Sequence, residues 1–368
     1  MGDWGPVERA YQEGEDCAMD DQRMHGPPFE PVVQMRSPRV YGSFPTLFGA
    51  PLAETEQDLK GADVAFLGVP WRAPTTPGSF FLGGARSNFE GTQLTPSYFR
   101  LNSLHYGGYL PELDLDVLGG LRLVDRGDVD IFQAVNRTFS EVEAEVGVMV
   151  DAGCIPVVLG GNAGPTTYPF LKAVAERADG STAILNLDAH GDNLPGEWEE
   201  DDLRAPRWAE TWALRILALP NVEPGRYHHF GLRGPRNDPG TLARFVERGV
   251  EREHVYTYRE IRRARKEEGY DEWAEGLARR VMDGAAKVWV ALDPDVLNLG
   301  STPDFGAEPL GPTLDEVVEL LYRVGCAAGK ERLGGISIMA TPHEARSLHQ
   351  AMIYVLLYTL AGAISGER

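Results

Sequence analysis

Short apolar runs, each closed by glycine, proline or an acid, recur along the chain from residue 62 onward. Those at 62–69, 155–161, 182–188, 228–234, 254–258, 287–293 and 333–339 read as strands. They are apolar at successive positions, the pattern of a parallel sheet covered on both faces. Between them the apolar spacing changes to three and four. In 134–152, Val135, Phe139, Val142, Val146, Met149 and Val150 fall on one helical face, with Glu141, Glu143 and Glu145 turned mostly away. Gly153 ends that helix. Further helices are expected at 314–324 and 351–364, the second apolar enough to be largely buried. Thr95 is placed as the cap of another helix, with Pro96 in its first turn. The charged stretch 258–276 reads as a solvated helical surface. The alternation predicts one α/β domain over 61–368, with helices on both sides of a central parallel sheet. Residues 1–60, rich in Pro, Gly and acids, read as an N-terminal arm, extended or partly disordered, that wraps the domain or a neighbouring subunit.

Composition narrows the class. The 368 residues are 43% hydrophobic and 24% charged, enough apolar material for a full core. A formal net charge of −20 opposes nucleic-acid binding, which needs clustered Lys and Arg, and mildly favours a cationic substrate. Cys17, Cys154 and Cys326 match no zinc or redox spacing and suggest a reducing compartment. The sequence has neither a signal-peptide core nor a run of about eighteen apolar residues. The expectation is therefore a cytoplasmic chain with no nucleic-acid or membrane partner.

Two acidic motifs stand where an open α/β sheet binds its ligands, beyond the carboxyl ends of strands. The run 182–187 leads into Asp188-Ala189-His190-Gly191-Asp192, and 287–292 into Asp293-Pro294-Asp295. Either motif alone is compatible with Asx turns and helix caps. Together they gather four carboxylates and an imidazole, whose mutual repulsion and burial cost several kcal/mol each unless a cation offsets them. Oxygen and imidazole donors suit Mn, Ni, Co or Zn.

These motifs resemble the ureohydrolase family of arginases and agmatinases. Asp188-Ala189-His190-Gly191-Asp192 is similar to its Asp-Ala-His-X-Asp signature, and Ala291-Leu292-Asp293-Pro294-Asp295-Val296-Leu297 to its Ser-X-Asp-X-Asp-Val-Leu element. Gly68-Val69-Pro70, Asp125-Arg126-Gly127-Asp128, Gly160-Gly161 and Gly231-Leu232-Arg233-Gly234 follow in the family's order. The resemblance implies a three-layer α/β/α arginase-like fold and two divalent metals about 3.5 Å apart bridged by hydroxide, which attacks a guanidinium carbon. By position, Asp188 and Asp293 would bridge the metals. Asp192 would complete one site and have a part in catalysis; His190 and Asp295 would complete the other.

The chain departs from the family at four places. The family's Gly-Gly-Asp-His-Ser motif supplies an imidazole to the first metal; here Asn162 and Ala163 occupy the Asp and His positions. Asn298 replaces the Asp of a later Asp-Pro, and Met339 the Glu that holds the substrate guanidinium. No His stands between His190 and His228, where many members carry a proton-moving one. Loss of a direct ligand should weaken metal at least as much as loss of a supporting residue, about 10–100-fold. The expectation is a degenerate member that binds no metal or one weakly, and supports a catalytic ureohydrolase paralogue in a trimeric or hexameric hetero-oligomer. It resembles the non-catalytic subunit of the nickel-dependent metformin hydrolases, with nickel or manganese bound in the complex. The alternatives are an active ureohydrolase with an altered or single-metal site, and a binding or regulatory protein for a cationic small molecule.

Other motifs carry less. Gly83-Gly84-Ala85-Arg86 is not followed by the Lys-Ser/Thr of a phosphate loop. Trp71, Arg72 and the loop 75–81 are candidates for the site rim. His228 and His229 read as core histidines, and Glu197 to Asp202 as a solvated acidic loop.

Overall fold

The computed structural model describes residues 45–71, 92–132, 135–161, 163–195, 208–305 and 308–366. The strands are β1 (Val64–Val69), β2 (Tyr109–Leu110), β3 (Leu115–Asp116), β4 (Leu123–Asp128), β5 (Ile155–Gly160), β6 (Thr182–Leu187), β7 (Val222–Leu232), β8 (Val255–Thr257), β9 (Lys287–Leu292) and β10 (Leu333–Ile338). The helices are α1 (Thr95–Ser103), α2 (Val135–Asp151), α3 (Ala163–Arg177), α4 (Trp208–Ile216), α5 (Thr241–Glu247), α6 (Tyr258–Glu267), α7 (Tyr270–Met282), α8 (Leu314–Arg332) and α9 (Arg346–Ser365). Eight strands form one sheet in the order β4-β1-β5-β10-β9-β6-β7-β8, and every ladder in it is parallel.

Successive apolar residues serve two cores because alternate side chains point to opposite faces. Val288, Val290 and Leu292 of β9 join the layer holding α7, α8 and α9. Trp289 and Ala291 join the other, with Phe139 of α2, Phe170 of α3 and Trp212 of α4. The result is the expected three-layer α/β/α arrangement. α9 is long and apolar enough by composition to cross a membrane, and most of it is buried inside the protein.

β2, β3, α3, α4 and α5 were not read from the sequence, and three further stretches differ from its reading. β4 is a strand despite its sequence Leu-Val-Asp-Arg-Gly-Asp, because its charges are engaged locally at the sheet edge. Asp125 accepts two bonds from Arg100 of α1, at 2.8 and 2.9 Å, and Arg100 also reaches Asp128 at 2.5 Å. Leu52 pairs with Asp125, so the preceding segment covers that edge. Thr95 is the first residue of α1 rather than its cap, and its hydroxyl donates to the Thr341 carbonyl; Pro96 does stand in the first turn. The charged stretch 258–276 divides between α6 and α7; Ile261 of α6 is buried, as are Trp273, Ala274 and Leu277 of α7. Of the N-terminal stretch, Leu47 and Phe48 pack into the core and residues 1–44 lie outside the described residues.

Candidate metal centre

Register creates the site. β6 and β9 are neighbours, with Thr182 paired to Lys287 and Leu187 to Leu292, so the next residues, Asp188 and Asp293, leave the sheet side by side. The Asp293 amide donates to the Leu187 carbonyl at 2.9 Å. Asp293 then accepts from the Asp295 amide at 2.9 Å, capping a short turn, Pro294–Val296. That turn swings the Asp295 carboxylate back toward the end of β6, where it accepts from the Ala189 amide at 3.0 Å. The loop after β6 is held by Asn237, which accepts from the Gly191 amide at 3.0 Å and donates to the Ala189 carbonyl at 2.9 Å.

Side chains of Asp188, His190 and Asp295 converge, with one potential ligand atom from each within 4.8 Å of the others. His190 Nδ1 is 2.8 Å from Asp295 Oδ2 and 3.7 Å from Asp188 Oδ1. Its Nε2 lies 3.0 Å from Oε1 of Glu308, a buried residue. Asp188 is fully buried; Oδ1 accepts from the His190 amide at 2.6 Å, while Oδ2 has no hydrogen-bond partner among the described residues. Asp192, half-buried with φ 43°, accepts from the Trp212 indole at 2.7 Å. Asp192 and Asp293 stand beside the three-residue group without belonging to it.

The electrostatics are those of acids crowded out of water. Burial, then Asp192, Asp295 and Asp293, hold Asp188 well above the usual carboxylate range. Burial and Asp295 do the same for Asp293. Burial raises Asp192 to about 6, although His190 and Trp212 oppose it. Burial would also raise Asp295, but the His190 contact outweighs it and holds Asp295 below the ordinary range. Burial disfavours charge on His190, yet Asp295 and Glu308 together raise it to about 10. A partnerless buried carboxylate oxygen beside an imidazole and further carboxylates is a donor set that fits a divalent cation.

Of the positions marked as departures, Met339 stands beside this group. β10 pairs with β9 through Ile338 and Leu292, so Met339 is next to Asp293; its amide donates to the Leu292 carbonyl at 3.0 Å. Met339 is fully buried and its sulfur accepts from the Thr167 hydroxyl at 2.9 Å. Asn298 accepts from the Ser301 amide at 2.9 Å and so caps its own turn. Asn162 lies outside the described residues; Ala163 opens α3, with its side chain outside them. Trp71 is buried, whereas Arg72, the loop 75–81, Gly83 to Arg86 and the acidic loop Glu197 to Asp202 fall outside the described residues. His228 and His229 are buried in β7, as read from sequence. His229 lies 3.2 Å from the Asn186 amide and 3.1 Å from the Asp188 carbonyl, and burial lowers its pKa to about 4.

Sequence reading missed Glu308, Asn237 and Trp212. They are 118, 46 and 20 residues from the groups they hold, in stretches with no spacing signal. The Pro and Gly around Glu308 indicate only a loop.

Comparison with known proteins agrees with this geometry. The model of the family described as "Arginase family" matches residues 62–339. Mitochondrial guanidino acid hydrolase of Homo sapiens is 31% identical over 134 residues, 36% of this chain and 34% of that protein. Guanidinobutyrase of Pseudomonas aeruginosa is 28% identical over 178 residues, 47% of this chain and 49% of that protein. The chain thus spans about a third to a half of the length of these curated relatives. Proclavaminate amidino hydrolase from Streptomyces clavuligerus superposes with a TM-score of 0.69 at 23% identity, over 89% of this chain and 100% of that one. Trypanosoma cruzi formiminoglutamase, solved with Mn2+, gives a TM-score of 0.68 at 18% identity, over 87% of this chain and 98% of that one. At these identities the structural likeness shows the fold alone. With a family match across most of its length, and the sheet and acidic motifs in place, the chain belongs to the arginase family.

Proposed function

We propose that this chain is a non-catalytic, supporting subunit of a heteromeric, metal-dependent hydrolase of guanidine or biguanide C–N bonds, of the metformin hydrolase type. The carrying observation is the apolar replacement of two groups that the chemistry requires: Ala163 at the imidazole position of the first motif and Met339 at the guanidinium-binding position. A thioether bonded to Thr167 cannot form the bidentate ionic pair that a carboxylate makes with guanidinium.

Asp188, His190 and Asp295 would hold a divalent cation, with Asp293 and Asp192 alongside. When bound, the cation supplies Lewis acidity and lowers the pKa of water. The chain's own groups keep the cluster ready. The Ala189 amide aims Asp295, the Trp212 indole aims Asp192, and the Asp295 amide fixes Asp293. Beside them Met339 leaves a cationic substrate without a counter-charge. Such a chain retains a folded core and a surface for subunit contacts, and closed rings depend on fitted contacts.

Purified alone, the chain should release no urea or ammonia from agmatine, arginine, guanidinobutyrate or dimethylbiguanide. Co-expressed with a ureohydrolase-like paralogue that keeps Gly-Gly-Asp-His, it should copurify in an active complex. Turnover by the pure chain rejects the proposal. The intact Asp188, His190 and Asp295 group favours a second reading, a hydrolase with a single-metal or altered site. Metal content assayed together with activity separates the two: metal-dependent turnover by the isolated chain selects the second.

A further inference from the structure

We propose that Glu308 is a positioning residue that holds the proton of His190 on Nε2 and so presents the Nδ1 lone pair to a cation among the carboxylates. This rests on the metal-centre reading above. A neutral imidazole carries one ring proton, and the partner of one nitrogen decides which nitrogen is left to bind. Nδ1 faces Asp295 and Asp188, at 2.8 and 3.7 Å. Nε2 faces Glu308 at 3.0 Å on the far side of the ring. A carboxylate can only accept, so without a cation the ring donates from both nitrogens; a cation displaces the Nδ1 proton that faces Asp295, and Glu308 keeps the other on Nε2.

The surroundings seat Glu308 in that place. The Arg236 guanidinium is 3.6 Å from its carboxylate. Gly234, at φ +83°, leaves room for it; a Cβ there would stand 2.8 Å from Glu308 Oε2. Arg233 donates to the carbonyls of Asp295 at 2.8 Å and Leu297 at 3.2 Å, and to that of Leu310. It also donates to the Gly231 carbonyl at 3.0 Å. One guanidinium thus ties the chain on both sides of Glu308 to the end of β7, together with the turn that carries Asp295. The ring is clamped between a ligand carboxylate and a second carboxylate that no sequence motif indicated.

Zinc(II) is a suitable probe because it is diamagnetic. Affinity is read by calorimetry and the His190 ring nitrogens by 15N NMR, on the full chain. Wild type should bind zinc with His190 protonated at Nε2. Glu308→Ala should weaken zinc about 10–100-fold and lose the single tautomer signature. Glu308→Gln keeps an oxygen acceptor and should recover most of both. Should the alanine variant fail to fold, Glu308→Met, similar in volume and without a strong acceptor, takes its place with the same expectation. Wild-type affinity and an unchanged Nε2–H signature in the variants without an acceptor overturn the proposal. So does a fall in thermal stability with no change in zinc affinity. A wild-type chain that takes up no zinc rejects the metal-centre reading itself, and this proposal with it.

Discussion

Asp188 stands with one oxygen bonded to the His190 amide and the other without a hydrogen-bond partner among the described residues, buried among Asp192, Asp293 and Asp295. Without metal, ionising it at neutral pH opposes folding, since burial and like charges favour its protonated form. Asp188→Asn should therefore raise the melting temperature of the chelator-treated chain by several degrees, corresponding to about 1–3 kcal/mol. The same change should abolish any rise on adding Mn2+, read by scanning calorimetry; an unchanged apo melting temperature contradicts the strain argument. His228 gives a second test. Burial, aided by His254, Arg280 and Arg226, pushes its pKa from 6.5 down to about 3. The folded chain resists a proton that the unfolded chain accepts. Its contribution is therefore full above about pH 6.5 and is lost toward about pH 3, by up to about 1.4 kcal/mol per pH unit. Denaturation midpoints measured from pH 7 to 4.5 should fall less steeply in His228→Gln. The two acidic motifs were legible as candidates because the spacing within each is local, and the structure brings Asp188, His190 and Asp295 of them together. Glu308 was not legible, because its meaning comes from an imidazole 118 positions away.

Arg100 shows how an element depends on such distant groups. Its guanidinium fastens α1 to β4 through Asp125 and Asp128, with Asp125 fully buried. Arg100→Met should cost about 3–5 kcal/mol in urea denaturation, because it leaves a buried carboxylate without its cation. Helix packing makes another demand. A Cβ on Gly362 of α9 would lie 2.1 Å from the Tyr322 carbonyl oxygen of α8, and one on Gly325 2.3 Å from that of Thr359. These are backbone contacts, so no side-chain rotation relieves them. Gly362→Ala should destabilise by about 1–3 kcal/mol or more, with the strand ends that carry the acidic cluster untouched. A melting temperature within a degree of wild type would show that the helices can separate freely. The strands read from apolar runs are present because a sheet buried on both faces needs no alternation. β4 was missed for the complementary reason: at the sheet edge its charges pair with α1 and appear in sequence as loop chemistry.

At the level of the whole molecule, the parallel order β5-β10-β9-β6-β7 lines up Gly161, Met339, Asp293, Asp188 and Gly231 near one end of the sheet. Ligands of such sheets bind there, and Met339 stands in the same row as the acidic cluster. Light scattering of the chain alone and with a catalytic paralogue should show the two chains entering one larger particle; separate elution of both at micromolar concentration counts against the subunit role. The fold class and the acidic motifs follow from short-range pattern, since hydrophobic period and ligand spacing are properties of neighbouring residues. Which acids meet, which one lacks a partner and where His190 points were decided by strand register and by the loop that Arg233 ties down. Those relations join residues tens to more than a hundred positions apart, and only the packed sheet brings them within bonding distance.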